Sequence, residues 1–144
     1  MTPAHTDHFE QLLRDHALKV TQPRLHVLQM IAAKSTAISQ PELEKTLGTK
    51  IDRVTLYRAL ATFEEKGIVH KIFDLQGTAT YALCSTNCTQ QHHHDQHLHF
   101  LCSSCNQVFC LDEWELPSPK IPAGYQFESL HLHAVGKCPT CATT

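Results

Sequence analysis

The chain has 144 residues, of which 42% are hydrophobic and 18% charged, and its formal net charge at pH 7 is −2. This length can bury a real core in one domain or in two small ones. The charge balance argues against a partner held by bulk charge alone, so any nucleic-acid binding must use a local patch or a bound metal. Twelve histidines and seven cysteines are unusually many, and most follow His70. Metal chemistry is therefore expected in the second half.

The sequence carries neither a membrane segment nor an export signal. No apolar run is long enough to span a bilayer, and the first residues offer neither a basic start nor an apolar stretch. We therefore expect a cytoplasmic protein with no membrane partner. In a reducing compartment, closely spaced cysteines favour metal binding over disulfides.

The first half of the sequence predicts helices with clear start and stop signals. A first helix is predicted over residues 9–18, with Ala17 among its inward residues. Thr21-Gln-Pro-Arg24 and Ser39-Gln-Pro-Glu42 each place a hydroxyl at the N-cap and a proline in the first turn. Gly48 would end the helix that starts after the second of these segments.

A further helix is predicted from about Asp52, as N-cap, to Lys66, with Gly67 as its stop. Helical periodicity places one set of apolar residues inward: Leu56, Ala59, Leu60 and Phe63. The opposite face carries Val54, Tyr57, Arg58 and Ala61. A tyrosine and an arginine beside small residues suit contact with base edges and phosphates in a major groove, although such a face is commonly just solvated.

Two short strands are predicted after this helix. They cover residues 68–73 and 80–83 and are joined by a turn at Leu75-Gln-Gly77. Helices followed by a hairpin form a winged helix-turn-helix, which strengthens the DNA-binding interpretation of the preceding helix.

Four cysteines form two distant pairs, Cys102-Ser-Ser-Cys105 and Cys138-Pro-Thr-Cys141. This spacing suits one structural, tetrahedral zinc, to which each pair supplies two thiolates; two disulfides are the alternative. Strands are predicted over residues 107–111 and 125–135, so the metal would pin both ends of a small sheet. Such a sheet with an exposed edge is a ready dimer surface, and we expect a homodimer.

Several motifs, taken in order, resemble the ferric uptake regulator family of metal-dependent repressors. They are Leu18-Lys-Val-Thr-Gln-Pro-Arg24, Arg53-Val-Thr-Leu-Tyr-Arg58, His97-Leu-His99 and the two cysteine pairs. The resemblance covers nearly the whole chain, and it implies binding of double-stranded DNA at a pseudo-palindromic operator.

The resemblance also implies an α+β fold with three parts. An N-terminal winged helix-turn-helix domain would cover residues 1–84, a His-rich linker residues 85–96, and a small αβ dimerisation domain with the four-cysteine zinc site residues 97–144. The implied DNA contacts are Lys19, Arg24, Thr55, Tyr57 and Arg58. Cationic residues at these places can hold phosphates and fix the register on the duplex.

A regulatory metal between the domains is implied as well, and its ligands depart from the iron-sensing pattern. Iron-type members place a histidine and an acidic residue where this chain has Ala37 and Ala82. The chain offers nitrogen and sulfur donors instead: His70, Cys84, His97 and His99. This set favours zinc over iron or manganese by ligand softness and geometry, and it resembles the zinc uptake regulator branch.

Two features of the middle segment leave alternatives open. Cys88 could supply the regulatory thiolate in place of Cys84. The run His92-His93-His94 reads most simply as a solvated loop, while additional metal binding, together with Cys88, is the alternative.

Two rival functions remain open. The first is a regulator of the same family that responds to iron, manganese or peroxide. The second is a small zinc hydrolase, which lacks a H-E-x-x-H helix and an obvious general base. The sequence therefore predicts a zinc-responsive regulator of metal-uptake genes rather than an enzyme.

Overall fold

A computed structural model describes residues 3–83, 98–111, 120–127 and 132–143. The first part contains four helices and a small sheet: α1 (Pro3–Asp15), α2 (Gln22–Ala33), β1 (Ile38–Ser39), α3 (Gln40–Leu47), α4 (Arg53–Glu65), β2 (Val69–Phe73) and β3 (Ala79–Leu83). The rest contains β4 (Leu98–Cys102), β5 (Val108–Leu111), β6 (His133–Gly136) and α5 (Pro139–Ala142). Several predicted site residues lie outside the described residues: Cys84, Cys88, His92, His93, His94 and His97.

Three helices begin where their capping residues predict. The Thr21 hydroxyl accepts the Arg24 N–H at 3.4 Å, and the Ser39 hydroxyl accepts the Glu42 N–H at 3.2 Å. At the start of α4, the Asp52 carboxylate likewise accepts a backbone N–H, at 2.8 Å. Each cap satisfies a donor that the first turn of the helix would otherwise leave without a partner.

The prediction for α1 was wrong at both ends, since the helix already begins at Pro3. The helix stops at Asp15, and Ala17 is exposed with φ of 57° instead of facing inward. The N–H of Ala17 donates to the Arg14 carbonyl at 3.0 Å, and the N–H of Leu18 donates to the Leu13 carbonyl at 2.8 Å. This pair of bonds is a Schellman closure, which places its left-handed residue outside the helix.

The hydrophobic core of the first part lies between α1, α2, α3 and α4. The predicted inward face of α4 is confirmed, because its four apolar residues are all buried. Burial of a side chain such as Phe63 or Leu60 stabilises the fold by about 1.5–3 kcal/mol relative to leaving it exposed. No helix within the described ranges is both long and apolar enough to cross a membrane.

The predicted hairpin is confirmed and gains a third strand. The order in this sheet is β1-β3-β2, with both pairings antiparallel. Gly77 has φ of 80° in the turn, and the Asp74 carboxylate accepts the N–H groups of Gln76 and Thr78, both at 2.9 Å. The sequence did not predict β1, because two residues before a helix cap carry no strand periodicity. The result is a three-stranded wing after α4.

The second sheet has the order β5-β4-β6, with β5 antiparallel and β6 parallel to the central strand. The predicted strand over residues 107–111 is confirmed as β5. The prediction over residues 125–135 was too long, because residues 120–127 contain no strand and β6 begins at His133. Gly124, with φ of 91°, and a bond from the Tyr125 N–H to the Pro122 carbonyl at 3.3 Å turn the chain there.

Direct contacts join the second sheet to the wing. The Ala37 N–H donates to the Val108 carbonyl at 2.9 Å, and the Asn106 amide donates to the Asp74 carboxylate at 3.2 Å. Ala37 and Val108 also belong to a small buried cluster with Ile72 and Leu101. This junction brings residues of both parts of the chain together.

Candidate metal centres and nucleic-acid interface

The four paired cysteines converge on one point. Cys102 ends β4, and Cys105 lies in the turn that follows it, while Cys138 caps α5 and Cys141 lies within that helix. Their sulfur atoms all lie within 4.8 Å of one another, and the Cys105 and Cys138 sulfurs are 3.9 Å apart. Tetrahedral zinc with Zn–S bonds of about 2.3 Å would place its sulfurs about 3.8 Å apart. The cluster therefore suits zinc.

Backbone donors prepare this cluster for thiolates. The Cys102 sulfur accepts the N–H groups of Cys105 at 3.5 Å and Cys138 at 3.4 Å, and these bonds lower the pKa of the Cys102 thiol to about 6. The hydrogen bond with Cys138, followed by burial, raises the pKa of Cys141 to about 12. Four adjacent thiolates would repel one another without a bound cation. Because the thiols must lose their protons to become ligands, metal binding releases protons.

Local structure fixes the spacing of the two cysteine pairs. The Gly136 carbonyl accepts the backbone N–H of Ser103 at 2.8 Å and its hydroxyl at 3.2 Å. A Cβ at Gly136 would lie 3.0 Å from the Phe100 ring, so a larger residue would require that ring to shift. Asn106, with φ of 60°, closes the first knuckle through a bond to the Cys102 carbonyl at 2.9 Å. The sheet thus holds both pairs at zinc-binding distance.

Two of the four predicted regulatory ligands come together across the domain junction. His70 on β2 and His99 on β4 are 3% and 4% exposed, and their ring centroids are 5.9 Å apart. Cys84 and His97, the other two predicted ligands, are outside the described ranges. Ala82 lies opposite His70 in the wing, and it packs with Ala37 against the apolar cluster at the junction. His70 thus has an alanine as its register partner on β3.

Sequence reasoning missed a third imidazole next to this pair. His133 on β6 is the register partner of His99, and their ring centroids are 5.9 Å apart. A signal for it was present, because a His-x-His segment precedes each cysteine pair: His97-Leu-His99 and His131-Leu-His133. Which of these histidines lie next to each other depends on strand pairing, and the local sequence does not reveal that pairing.

The predicted outer face of α4 is exposed, as its helical periodicity indicated. Val54, Tyr57, Arg58 and Ala61 all face outward. The Tyr57 hydroxyl donates to the Glu44 carboxylate of α3, and the Arg53 guanidinium donates to the same carboxylate at 3.3 Å. The bond from Tyr57, followed by the charge of Arg53, lowers the pKa of Glu44. Glu44 was not singled out from the sequence, yet it orients the tyrosine.

The remaining predicted DNA contacts lie at the starts of helices. Lys19 is exposed between α1 and α2, and its carbonyl accepts a bond from the Arg24 guanidinium at 2.7 Å. Thr55 is half-buried in the first turn of α4, where its N–H is held by Asp52. Thr55 thus belongs to α4 itself, whereas Lys19 precedes α2 and Arg24 lies in its first turn.

Comparisons with known proteins agree with this architecture. The model of the ferric uptake regulator family matches residues 15–136. A ferric uptake regulation protein from Vibrio cholerae is 36% identical over 136 residues, which cover 89% of this chain and 85% of that protein. The crystal structure of the Vibrio cholerae ferric uptake regulator is similar with a TM-score of 0.59 at 28% identity, covering 90% of this chain and 98% of that one.

A zinc uptake regulator solved with zinc and DNA has the same fold. Its TM-score is 0.68 at 22% identity, over 99% of this chain and 97% of that one. The family consists of metal-dependent transcriptional regulators, so the hydrolase alternative falls away. The chain, an α+β protein with a winged helix-turn-helix and a C-terminal cysteine cluster suited to zinc, belongs to the ferric uptake regulator family.

Proposed function

We propose that this chain is a zinc-responsive repressor of metal-uptake genes, of the zinc uptake regulator type. The observation that supports zinc most is the chemistry around His70 and His99. Both rings are buried, with their centroids 5.9 Å apart, so imidazole nitrogens from β2 and β4 lie close together. Imidazole and thiolate donors favour zinc, whereas carboxylates are characteristic of sites for harder ions.

We further propose the ligand sets and domain bounds that the resemblance implies. The structural zinc is held by Cys102, Cys105, Cys138 and Cys141. The regulatory metal is held by His70, Cys84, His97 and His99, with the winged-helix domain ending near residue 84. Cys88 and the run His92-His93-His94 are assigned at most weak additional metal binding.

The proposed switch works through the domain junction. His70 belongs to the wing and His99 to the second sheet, so a shared metal would supply a crosslink between the two parts of the chain. A backbone hydrogen bond from the Ala37 N–H to the Val108 carbonyl already joins the two parts at this junction. A ligand that binds this arrangement better shifts the population toward it, and metal and DNA then raise each other's affinity equally.

Iron is the second candidate effector, and a specific observation favours it. The Vibrio cholerae relative is named a ferric uptake regulation protein, as is an Escherichia coli relative that is 34% identical over 134 residues. Under this alternative the fold and the DNA interface stay the same, while Fe²⁺ or Mn²⁺ occupies the regulatory site. Buffered metal titrations separate the two candidates.

We propose that the active form is a homodimer joined through the second sheet. β5 and β6 are the edges of that sheet, and Leu111 and Val135 on them are exposed. Tyr125 and Phe127 expose further apolar surface, at 69% and 50%. Apolar side chains beside open edges suit a two-fold interface, which would present two α4 helices to a pseudo-palindromic operator.

Replacing Arg58 with alanine should weaken binding to operator DNA and lower the slope of log affinity against log salt by about 1, because one phosphate contact is lost. Fluorescence anisotropy at several salt concentrations measures both quantities. Arg14→Ala is the matched control, since it removes the same charge from α1, where Arg14 pairs with Glu10 at 3.3 Å. Equal salt slopes for the two variants would contradict the assignment of Arg58.

Replacing Cys84 with serine should abolish metal-dependent DNA binding while leaving the dimer and the structural zinc intact, because a thiolate ligand of the regulatory site is lost. Cys88→Ser is the matched comparison. Both variants are compared by measuring operator binding with and without zinc and the zinc content per chain. A response that disappears in Cys88→Ser and persists in Cys84→Ser would move the thiolate to Cys88.

A further inference from the structure

Three imidazoles lie in a row across the domain junction. His70 comes from β2, His99 from β4 and His133 from β6. The middle ring lies 5.9 Å from each of its neighbours, centroid to centroid, and both contacts are edge-on, with interplanar angles of 66° and 81°. The row therefore combines one side chain from the wing with two from the second sheet.

Strand pairing fixes the position of His133 relative to His99. In the parallel pairing of β4 and β6, His99 is opposite His133, and the His99 N–H donates to the Leu132 carbonyl at 3.1 Å. The His70 and His99 rings are buried while His133 is exposed, so the row runs from the protein interior to its surface. His133 thus lies at the open end, where a metal would enter.

The chemistry of the row matches a borderline divalent cation. Neutral imidazole binds zinc through nitrogen at about 2.0–2.1 Å, and three such ligands plus one further donor complete a tetrahedron. Among the described residues only the four cysteines have ligand atoms that already lie within 4.8 Å of one another. The three rings must therefore turn about their side-chain torsions to converge, and the exposed His133 has more room to do so than the two buried rings.

We propose that His133 is a ligand of the regulatory metal and binds it together with His70 and His99. The proposal rests on the proposed function, because it assumes a second metal site apart from the cysteine cluster. It changes the ligand set in one respect: His133 supplies the third imidazole in place of His97. The wing then contributes one imidazole, and the second sheet contributes two from neighbouring strands, which defines a rigid half-site.

The test measures metal binding by the full chain with its cysteine site filled with zinc. Chelator competition gives the zinc affinity of the second site, and Co²⁺ titration gives an absorption spectrum that reports the ligands directly. His133→Gln should weaken zinc binding at the second site at least about 100-fold and change the Co²⁺ spectrum, as expected for loss of a direct ligand. His8→Gln on α1 is the matched control and should change neither. Circular dichroism should be the same for all forms.

Three results would overturn the proposal. Unchanged affinity in His133→Gln, with loss in His97→Gln, would return the third imidazole to His97. A loss below about 100-fold with an unchanged Co²⁺ spectrum would make His133 a neighbour of the metal rather than a ligand. If the wild-type chain binds no second metal at all, the proposed function fails as well, and this outcome differs visibly from the other two.

Discussion

Replacing Cys102 with serine should strip the structural zinc from the chain and unfold the second sheet, leaving the helical core of the first part folded. Cys102 is buried, and its sulfur accepts two backbone N–H groups, so a serine there loses a metal ligand at the centre of the cluster. Structural zinc in small domains binds with about 10–16 kcal/mol of apparent free energy, far more than a three-stranded sheet can replace. Zinc content by mass spectrometry and circular dichroism against temperature measure the loss.

Cys110→Ser is the control for this experiment. Cys110 lies on β5 of the same sheet but outside the four-cysteine cluster, and it packs against the apolar residues of the junction. Its replacement should keep one tightly bound zinc per chain. If Cys102→Ser also retains that zinc and melts as the wild type does, the four cysteines do not form a structural site.

Replacing His99 with glutamine should abolish the effect of metal on DNA affinity. His99 is buried and is the middle ring of the row at the domain junction, so its loss removes the imidazole that lies between those of His70 and His133. Allosteric coupling of this kind typically amounts to about 1–3 kcal/mol, or about 5–150-fold in affinity. We expect operator affinity in the variant to stay at the metal-free value of the wild type at every zinc concentration.

Two controls make this result specific. The zinc of the cysteine cluster should be retained, at one per chain, and the dimer should survive, since that cluster is untouched. His8→Gln, at an exposed position on α1, should respond to zinc as the wild type does. If zinc raises the DNA affinity of the His99→Gln protein as it does that of the wild type, His99 is not a ligand of the regulatory metal.

Local signals explain most of what the sequence predicted correctly. A helix cap is decided within four residues, so Thr21, Ser39 and Asp52 mark three helix starts in advance. The two faces of α4 follow from helical periodicity over one continuous segment. Cysteine spacing predicts the four-cysteine cluster because the number of ligands and the spacing within each pair can be read directly from the sequence.

Non-local contacts account for what the sequence did not predict. β1 is only two residues long and exists through its pairing with β3, and β6 depends on a parallel partner far along the chain. For the same reason the sequence did not single out His133, whose position opposite His99 follows from strand register. The contact between Glu44 and Tyr57 spans two helices and thirteen residues. Each of these features is set by tertiary packing rather than by local propensity.

We propose that zinc at a nitrogen and sulfur site controls DNA binding. Fluorescence anisotropy on a palindromic operator pool, at fixed salt, tests it most directly when free Zn²⁺, Fe²⁺ and Mn²⁺ are each held by metal buffers. We predict that operator affinity rises at very low free zinc and changes little at physiological levels of iron or manganese. A rise only with iron or manganese would contradict zinc as the effector, while leaving the family assignment and the fold in place.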